Sequence, residues 1–252
     1  MDKGNRIVLI TGGGGEIGSA IARKFATEGY LVIITYHSNE AKAKKVLSEL
    51  SGEGHWAFHA PNTDPQKIQD LTKEIAQKHG HLHVLVNNAG ITIPVPHHDL
   101  ESLSDEWIDR IMQTNFRGGF AMTRACKDVL LAGANAAGQS SCIINISSIA
   151  GQFGMGSNVA YCASKAAVDS MTKSLARALA PAIRVVSVSP GFVEGEYTRN
   201  FSTSFLKEQK DKTPLERFAN ANDVADAVFA ASNLLTFTTG SIINVDGGRL
   251  LK

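Results

Sequence analysis

The chain has 252 residues, 43% of them hydrophobic and 19% charged, a composition typical of globular proteins with a buried core. Its 25 basic and 24 acidic side chains nearly cancel, so no global field draws it to nucleic acid or to an anionic membrane surface. No apolar run reaches the length of a membrane span, and MDKGNRIVLITGG lacks the apolar core and cleavage site of a signal peptide. Cys126, Cys142 and Cys162 have neither a disulfide framework's even count nor metal-site spacing, which fits a reducing, cytoplasmic setting.

In chain order, RIVLIT (6–11) reads as a strand and runs into TGGGGEIGSAIARKFA, where Ile17, Ala20, Ile21, Ala22 and Phe25 give a helix its apolar face. A glycine-rich turn between strand and helix lets backbone N–H groups approach a pyrophosphate at the positive helix end, the physical basis of a dinucleotide site. LVIITY (31–36), the weaker HWAFHA (55–60) and LHVLVN (82–87) read as further strands, followed by a long helix over 104–131. CIINIS (142–147), IRVVSVS (183–189) and SIINV (241–245) complete the set, with a second long helix over 159–179. Strands apolar on both faces and joined by helices predict a parallel, doubly wound α/β sheet with helices on both sides. No linker, repeat or low-complexity tract divides the chain, so residues 1–252 read as one domain; the polar, weakly periodic stretch 195–215 reads as a lid.

The stretch YCASK (161–165) places Tyr161 and Lys165 on one face of the second long helix, where an ammonium favours the phenolate of its neighbour. Cys162 is turned about 100° away around that helix and reads as a packed thiol. Of the adjacent Ser147 and Ser148, only one can face the same cleft, because successive strand residues point to opposite faces. The histidines His79, His81, His83, His97 and His98 have no carboxylate or cysteine at ligand spacing, so no metal site is expected.

TGGGGEIG (11–18), NNAG (87–90), Asn115 in QTNFRGGF, ISS (146–148), YCASK, SPGFV (189–193) and TGSIINVDGG (239–248) resemble, in order and spacing, the short-chain dehydrogenase/reductase family over nearly the whole chain. The style is nearest to its 3-oxoacyl-[acyl-carrier-protein] reductase and glucose dehydrogenase-like members. The resemblance implies a Rossmann fold and NAD(P)-dependent hydride transfer between nicotinamide and a carbonyl or secondary alcohol. It selects Ser148 over Ser147 to bind the substrate oxygen, makes Tyr161 the general acid/base, gives Lys165 a second role at the nicotinamide ribose, and lets Asn115 hold a water that links Lys165 to solvent. It also implies a cofactor site of Thr11, Gly12, Gly14, Gly15, Glu16, Ile17 and Gly18. To these it adds Tyr36, His37 and Ser38, then Asn62, Asn88, Ala89 and Gly90, then Pro190, Gly191 and Val193, with Tyr161 and Lys165 shared between cofactor and chemistry.

Four positions depart from the family pattern. Glu16 replaces a motif glycine and must point away from the pyrophosphate or repel it. Pro61 replaces an adenine-contacting Asp, leaving Asn62 or Asp64 as substitutes. His83 stands where many members carry Asp. Gly195 replaces a Thr at the nicotinamide carboxamide, leaving that contact to backbone near Val193 or to Thr198. At the end of the second strand stands Tyr36, with no carboxylate to repel a 2′-phosphate, so NADP(H) is expected ahead of NAD(H), although Gly15 stands where NADP-binding members often carry a basic residue. The expected partner is a small carbonyl or alcohol substrate, including a 3-oxoacyl thioester. The resemblance further implies a homotetramer assembled through the two long helices, although Val168, Met171, Leu175 and Leu179 on the second also fit an ordinary core. The competing hypothesis is a dinucleotide-binding sensor or scaffold without turnover.

Overall fold

Alternate residues of the first strand enter two different cores, and this fixes the layering. The computed structural model describes residues 6–196 and 198–251. In β1 (Ile7–Ile10), Val8 and Ile10 join one buried cluster while Ile7 and Leu9 join another on the opposite face. The first cluster is closed by α1 (Glu16–Thr27) and α9 (Ala221–Asn233), through Ile21, Phe25, Val224 and Val228. The second is closed by α3 (Pro65–His79), α5 (Gly118–Ala137) and α7 (Val159–Leu179), through Leu71, Ile75, Met122, Leu130 and Ala176. A strand covered on both faces has no polar face to present, which is why its sequence runs apolar without alternation.

The remaining strands are β2 (Leu31–Tyr36), β3 (Trp56–His59), β4 (Val84–Asn87), β5 (Ser141–Ile146), β6 (Ile183–Pro190) and β7 (Ile242–Val245). They form a seven-stranded sheet in the order β3-β2-β1-β4-β5-β6-β7, every neighbouring pair parallel. This is a Rossmann-like doubly wound sheet. Its order reverses between β1 and β4, and ligands of such sheets bind outside the carboxyl ends of the strands at that reversal.

Two segments differ from the sequence expectation. The long helix expected over 104–131 is α4 (Asp105–Met112), a π-helical turn (Gln113–Arg117) and α5, which continues to Ala137 and ends at the left-handed Gly138. Small residues permit the extension: a Cβ at Gly133 would lie 2.0 Å from the Leu82 carbonyl oxygen, so only glycine lets the helix pass that close to the entry of β4. The expected lid contains α8 (Thr203–Asp211), capped by Ser202 Oγ accepting from the Phe205 N–H at 3.2 Å. Tyr197 in that stretch lies outside the described residues. Among the described residues no helix is long and apolar enough to cross a membrane.

Candidate active site

The glycine turn after β1 is shaped by its neighbours rather than left flexible. Gly12 adopts φ +66°, a conformation that side chains disfavour, and its N–H donates to Thr35 Oγ1 at the end of β2. A Cβ at Gly18 would lie 2.5 Å from the Gly12 carbonyl oxygen. Thr11 Oγ1 accepts from the backbone N–H groups of Asn88 and Ala89 at 3.0 and 2.9 Å, and Asn88 Nδ2 donates back to the Thr11 carbonyl at 2.8 Å. The loops after β1 and β4 are thereby fixed to each other across the point where the sheet reverses.

A cleft of about 680 Å³ opens there. Of the residues expected to hold a dinucleotide, Gly12, Gly15, Glu16, Ile17 and Gly18 line it, as do Tyr36 and His37, Asn62, Asn88, Ala89 and Gly90. Thr11 stays buried as the loop's anchor. Gly14, Ser38, Pro190, Gly191, Val193, Tyr161 and Lys165 are not part of the lining. Arg110, Gln113 and Thr114 do line it and escaped the sequence reading, since an amphipathic helix gives no sign of which polar residue meets a cavity.

The cleft fits a dinucleotide on its own features. It is a backbone cradle that a Cβ at Gly18 would disrupt, at the N-terminus of α1. Asn62 supplies a buried Oδ1 that has no partner among the described residues, suited to an amino donor such as that of adenine. Asp64, its competitor, caps α3 through Oδ1, which accepts from the N–H groups of Gln66 and Lys67.

Beside the cleft, next to Gly90, stand residues of β5 and α7. Ser147 and Ser148 face opposite ways: Ser147 is buried and donates to the Lys165 carbonyl at 3.1 Å, while Ser148 caps α6 (Ile149–Phe153), accepting from the Ala150 N–H at 3.2 Å. At Gly151 a Cβ would lie 2.6 Å from the Lys165 carbonyl carbon, so α6 and α7 touch backbone to backbone. Asn158 Oδ1 caps α7 by accepting from the Tyr161 N–H at 2.7 Å, and its Nδ2 donates to the Ile93 carbonyl at 2.8 Å. His97 Nε2 lies 3.1 Å from the Gly156 carbonyl, a second tie between the segment after β4 and the approach to α7.

Lys165 is 5% exposed, and its Nζ donates to the Ile146 carbonyl at 2.8 Å and lies 5.6 Å from the centre of the Tyr161 ring. Burial pushes its ammonium down to about 8, opposed by the charge of Asp169 one turn on. Asn115 sits in the π turn; its Oδ1 accepts from the Ile91 N–H at 2.8 Å and its Nδ2 donates to the Ile91 carbonyl and to Ser164 Oγ. A point beside Gly90, where a Cβ would stand, is 3.2 Å from Asn115 Oδ1 and 3.6 Å from Lys165 Nζ. Such π turns recur at functional sites because they re-aim one side chain without ending the helix.

The departures now have physical accounts. Glu16 points away from the glycine turn, its Oε1 accepting from the Glu196 N–H at 2.8 Å. His83 Nδ1 accepts from the Ile7 N–H at 3.0 Å and so closes the start of β1. Thr198 is buried and exchanges hydrogen bonds with the N–H and carbonyl of Gly195, so its hydroxyl is already engaged within its own turn. Val193 is bridged to Ala219. Cys162 is buried, and burial raises its thiol, consistent with a packed side chain.

The family model described as enoyl-(acyl carrier protein) reductase matches residues 14–249. The chain is 34% identical over 250 residues to the 3-oxoacyl-[acyl-carrier-protein] reductase FabG of Staphylococcus aureus (strain Mu50 / ATCC 700699), with 98% of each chain covered. It has the same identity and coverage to the FabG of Thermotoga maritima. Among solved structures, the 3-ketoacyl-(acyl-carrier-protein) reductase from Brucella melitensis complexed with NADH superposes with a TM-score of 0.87 at 32% identity, over 98% of this chain and 99% of that one. A short-chain dehydrogenase/reductase described as glucose/ribitol dehydrogenase, also from Brucella melitensis, superposes with a TM-score of 0.88 at 28% identity, over 97% of this chain and 96% of that one. With its sheet order, its glycine cradle and its Tyr161–Lys165 helix, the chain belongs to the short-chain dehydrogenase/reductase family of NAD(P)-dependent oxidoreductases.

Proposed function

We infer that this oxidoreductase is a single-domain, NADP(H)-dependent reductase of 3-oxoacyl thioesters. The observation that carries the reading is Lys165: a buried ammonium 5.6 Å from the Tyr161 ring centre on a helix that packs against the one capped by Ser148. A buried cation with no carboxylate bonded to it among the described residues is costly, and its position beside a phenol gives that cost a use.

A reduced nicotinamide bound in the cleft supplies the hydride. The Tyr161 hydroxyl donates its proton to the substrate oxygen as that oxygen takes up charge. Ser148 Oγ donates a hydrogen bond to the same oxygen and orients it. The Lys165 ammonium stabilises the phenolate left behind, and with its pKa pushed down to about 8 it can also pass a proton on near neutral pH. Asn115, tied to Ile91 and Ser164, holds a water against Lys165 as the path to solvent.

Support for NADP(H) comes from the end of β2, where Tyr36 and His37 line the cleft without a carboxylate and Lys42 packs beside Gly14, its Cβ 3.5 Å from where a Gly14 Cβ would stand. The FabG relatives carry reduction of a 3-oxo group in their name, whereas the family model is described by enoyl reduction, so the substrate is a C=O in one case and a C=C in the other. Steady-state assays with acetoacetyl and crotonyl thioesters, each with NADPH and NADH, test both choices. The highest kcat/KM is expected for acetoacetyl thioester with NADPH; preference for the crotonyl thioester, or for NADH, overturns the corresponding half, and dinucleotide binding without turnover on any ketone or alcohol makes the chain a sensor instead. A homotetramer remains part of the proposal by family resemblance. The outward-face candidates Val168 and Met171 are buried within the protomer, which favours their reading as core, and sedimentation at micromolar concentration tests the assembly.

A further inference from the structure

Two of the departures from the family pattern meet in space. Glu16 is the first residue of α1 and lines the cleft, yet its carboxylate reaches out of the glycine turn to the segment after β6, where Oε1 accepts from the Glu196 N–H at 2.8 Å. The approach is possible because residue 195 has no side chain: a Cβ at Gly195 would lie 1.8 Å from Glu16 Oε2 and 2.5 Å from its Cδ. A carboxylate at 16 in this rotamer and any side chain at 195 therefore exclude each other. The donor end of the contact is preset, since Gly195 is held in a turn by Thr198 Oγ1 and Val193 before it is bridged to Ala219. From the far side of the glycine turn, Lys42 Nζ meets the Glu196 side chain at 3.3 Å, so the same residue is tied by its backbone to α1 and by its carboxylate to α2 (Glu40–Ser48).

We propose that Glu16 is a positioning residue that latches the Gly195–Glu196 turn onto the glycine loop, closing one side of the cleft and limiting the rate at which the dinucleotide enters and leaves. The proposal rests on the reading of the cleft as a dinucleotide site. Both contacts are exposed, but this one is a charge-assisted hydrogen bond to a backbone N–H at 2.8 Å, whereas the Lys42–Glu196 ion pair at 3.3 Å contributes little by itself. Its geometry also turns the carboxylate away from the place where phosphates meet the N-terminus of α1, so the latch and the anion cradle coexist.

The direct test needs no cofactor and no turnover. Amide hydrogen exchange of the whole protein should show the Glu196 N–H protected in the natural sequence and in Glu16→Gln, whose amide oxygen still accepts, and exchanging on the order of 10-fold faster in Glu16→Gly. Nicotinamide fluorescence in stopped flow should then show both association and release of NADPH accelerating in Glu16→Gly, by roughly similar factors, with Glu16→Gln remaining slow. The paired substitution adds a check: Gly195→Thr alone should push the Glu16 carboxylate aside and speed Glu196 exchange as Glu16→Gly does, and the two together should add nothing further. Equal Glu196 exchange in the natural sequence and Glu16→Gly, or additive effects of the two substitutions, would overturn the latch. A protected Glu196 in a protein that binds no nicotinamide dinucleotide would instead overturn the functional reading and leave the latch standing.

Discussion

On the β5–α7 side of the cleft, the polar side chains are locked into one another: Asn87 donates to Thr123 and Asn145, Asn145 to Thr172, Ser147 to the Lys165 carbonyl and Ser187 to Asp169. All of these lie in the buried interior. On the β1–α1 side the wall is mostly glycine and backbone, and the side chains that cross it, Glu16, Lys42 and Glu196, are exposed. Removing a member of a buried polar network leaves its partner unpaired away from water, whereas an exposed contact is replaced at little loss. The side we propose for proton transfer keeps the family residues, and Glu16 and Gly195 on the other side depart as a complementary pair.

The largest effect expected from breaking this contrast is at Tyr161. Tyr161→Phe keeps the ring beside Lys165 and removes only the hydroxyl, so turnover should fall by on the order of 10²–10⁴ while the melting temperature and dinucleotide affinity persist. A folded Tyr161→Phe with near-normal reduction of every accepted substrate would take the chemistry away from this wall. On the opposite wall, Gly18→Ala puts a Cβ 2.5 Å from the Gly12 carbonyl oxygen and 2.8 Å from Asn88 Nδ2, and the loop must shift. Strain of about 1–3 kcal/mol is usual for such overpacking, so calorimetry should show dinucleotide affinity lowered roughly 5- to 150-fold. Unchanged affinity would show that the loop yields freely and that the cradle is not preset.

A third prediction sets stability against chemistry within the locked wall. Lys165 has its folded pKa pushed down from 10.5 to about 8, so between those values the unfolded chain holds a proton that the folded chain has released. Stability then rises with pH across that window, and the penalty for burying the ammonium is present in full below about 8. Relative to Lys165→Met, the natural protein should gain on the order of 3 kcal/mol between pH 7.5 and 10.5, at about 1.4 kcal/mol per pKa unit. Paired urea titrations of the two proteins measure it, and parallel curves across the window would mean that the amine keeps its ordinary pKa in the folded protein.

The strands and the α7 helix with its Tyr161–Lys165 step were legible because each rests on a local pattern, apolar runs for doubly covered strands and a four-residue helical spacing, whereas Ser148 and Asn115 were singled out by the family resemblance. The π turn at Gln113–Arg117 was not, since its sequence continues the helical period on either side and only the ties of Asn115 to Ile91 and Ser164 reveal it. Helix α8 was hidden by a polar stretch whose face is set by tertiary contacts. Glu16 and Gly195 were each visible as departures, but their complementarity was not, because 179 positions of chain separate residues that only the fold brings within contact.

The smallest predicted effect lies at the other end of the sheet from the cleft and serves as the control for both walls. His83, at the entry of β4, accepts the Ile7 N–H at Nδ1, and burial lowers its pKa to about 4, aided by the neighbouring His81 and Arg6. Between that value and the ordinary 6.5 the unfolded chain binds a proton that the folded chain refuses, so stability falls as pH drops from 6.5 towards 4 and is level above. Protonation would also convert the acceptor into a donor facing the Ile7 N–H, which is the physical reason the folded state resists it. His83→Asn can present an amide oxygen to the same N–H and does not titrate. It should change stability at pH 8 by no more than about 1 kcal/mol, the usual net worth of one hydrogen bond, and should flatten the decline between pH 6.5 and 4. Dinucleotide affinity should stay within error, because the substitution touches neither wall. If urea midpoints of the two proteins fall in parallel from pH 8 to 4.5, the imidazole is not held neutral by its place at the start of β1, and the Ile7 hydrogen bond contributes nothing to the acid limit of this fold.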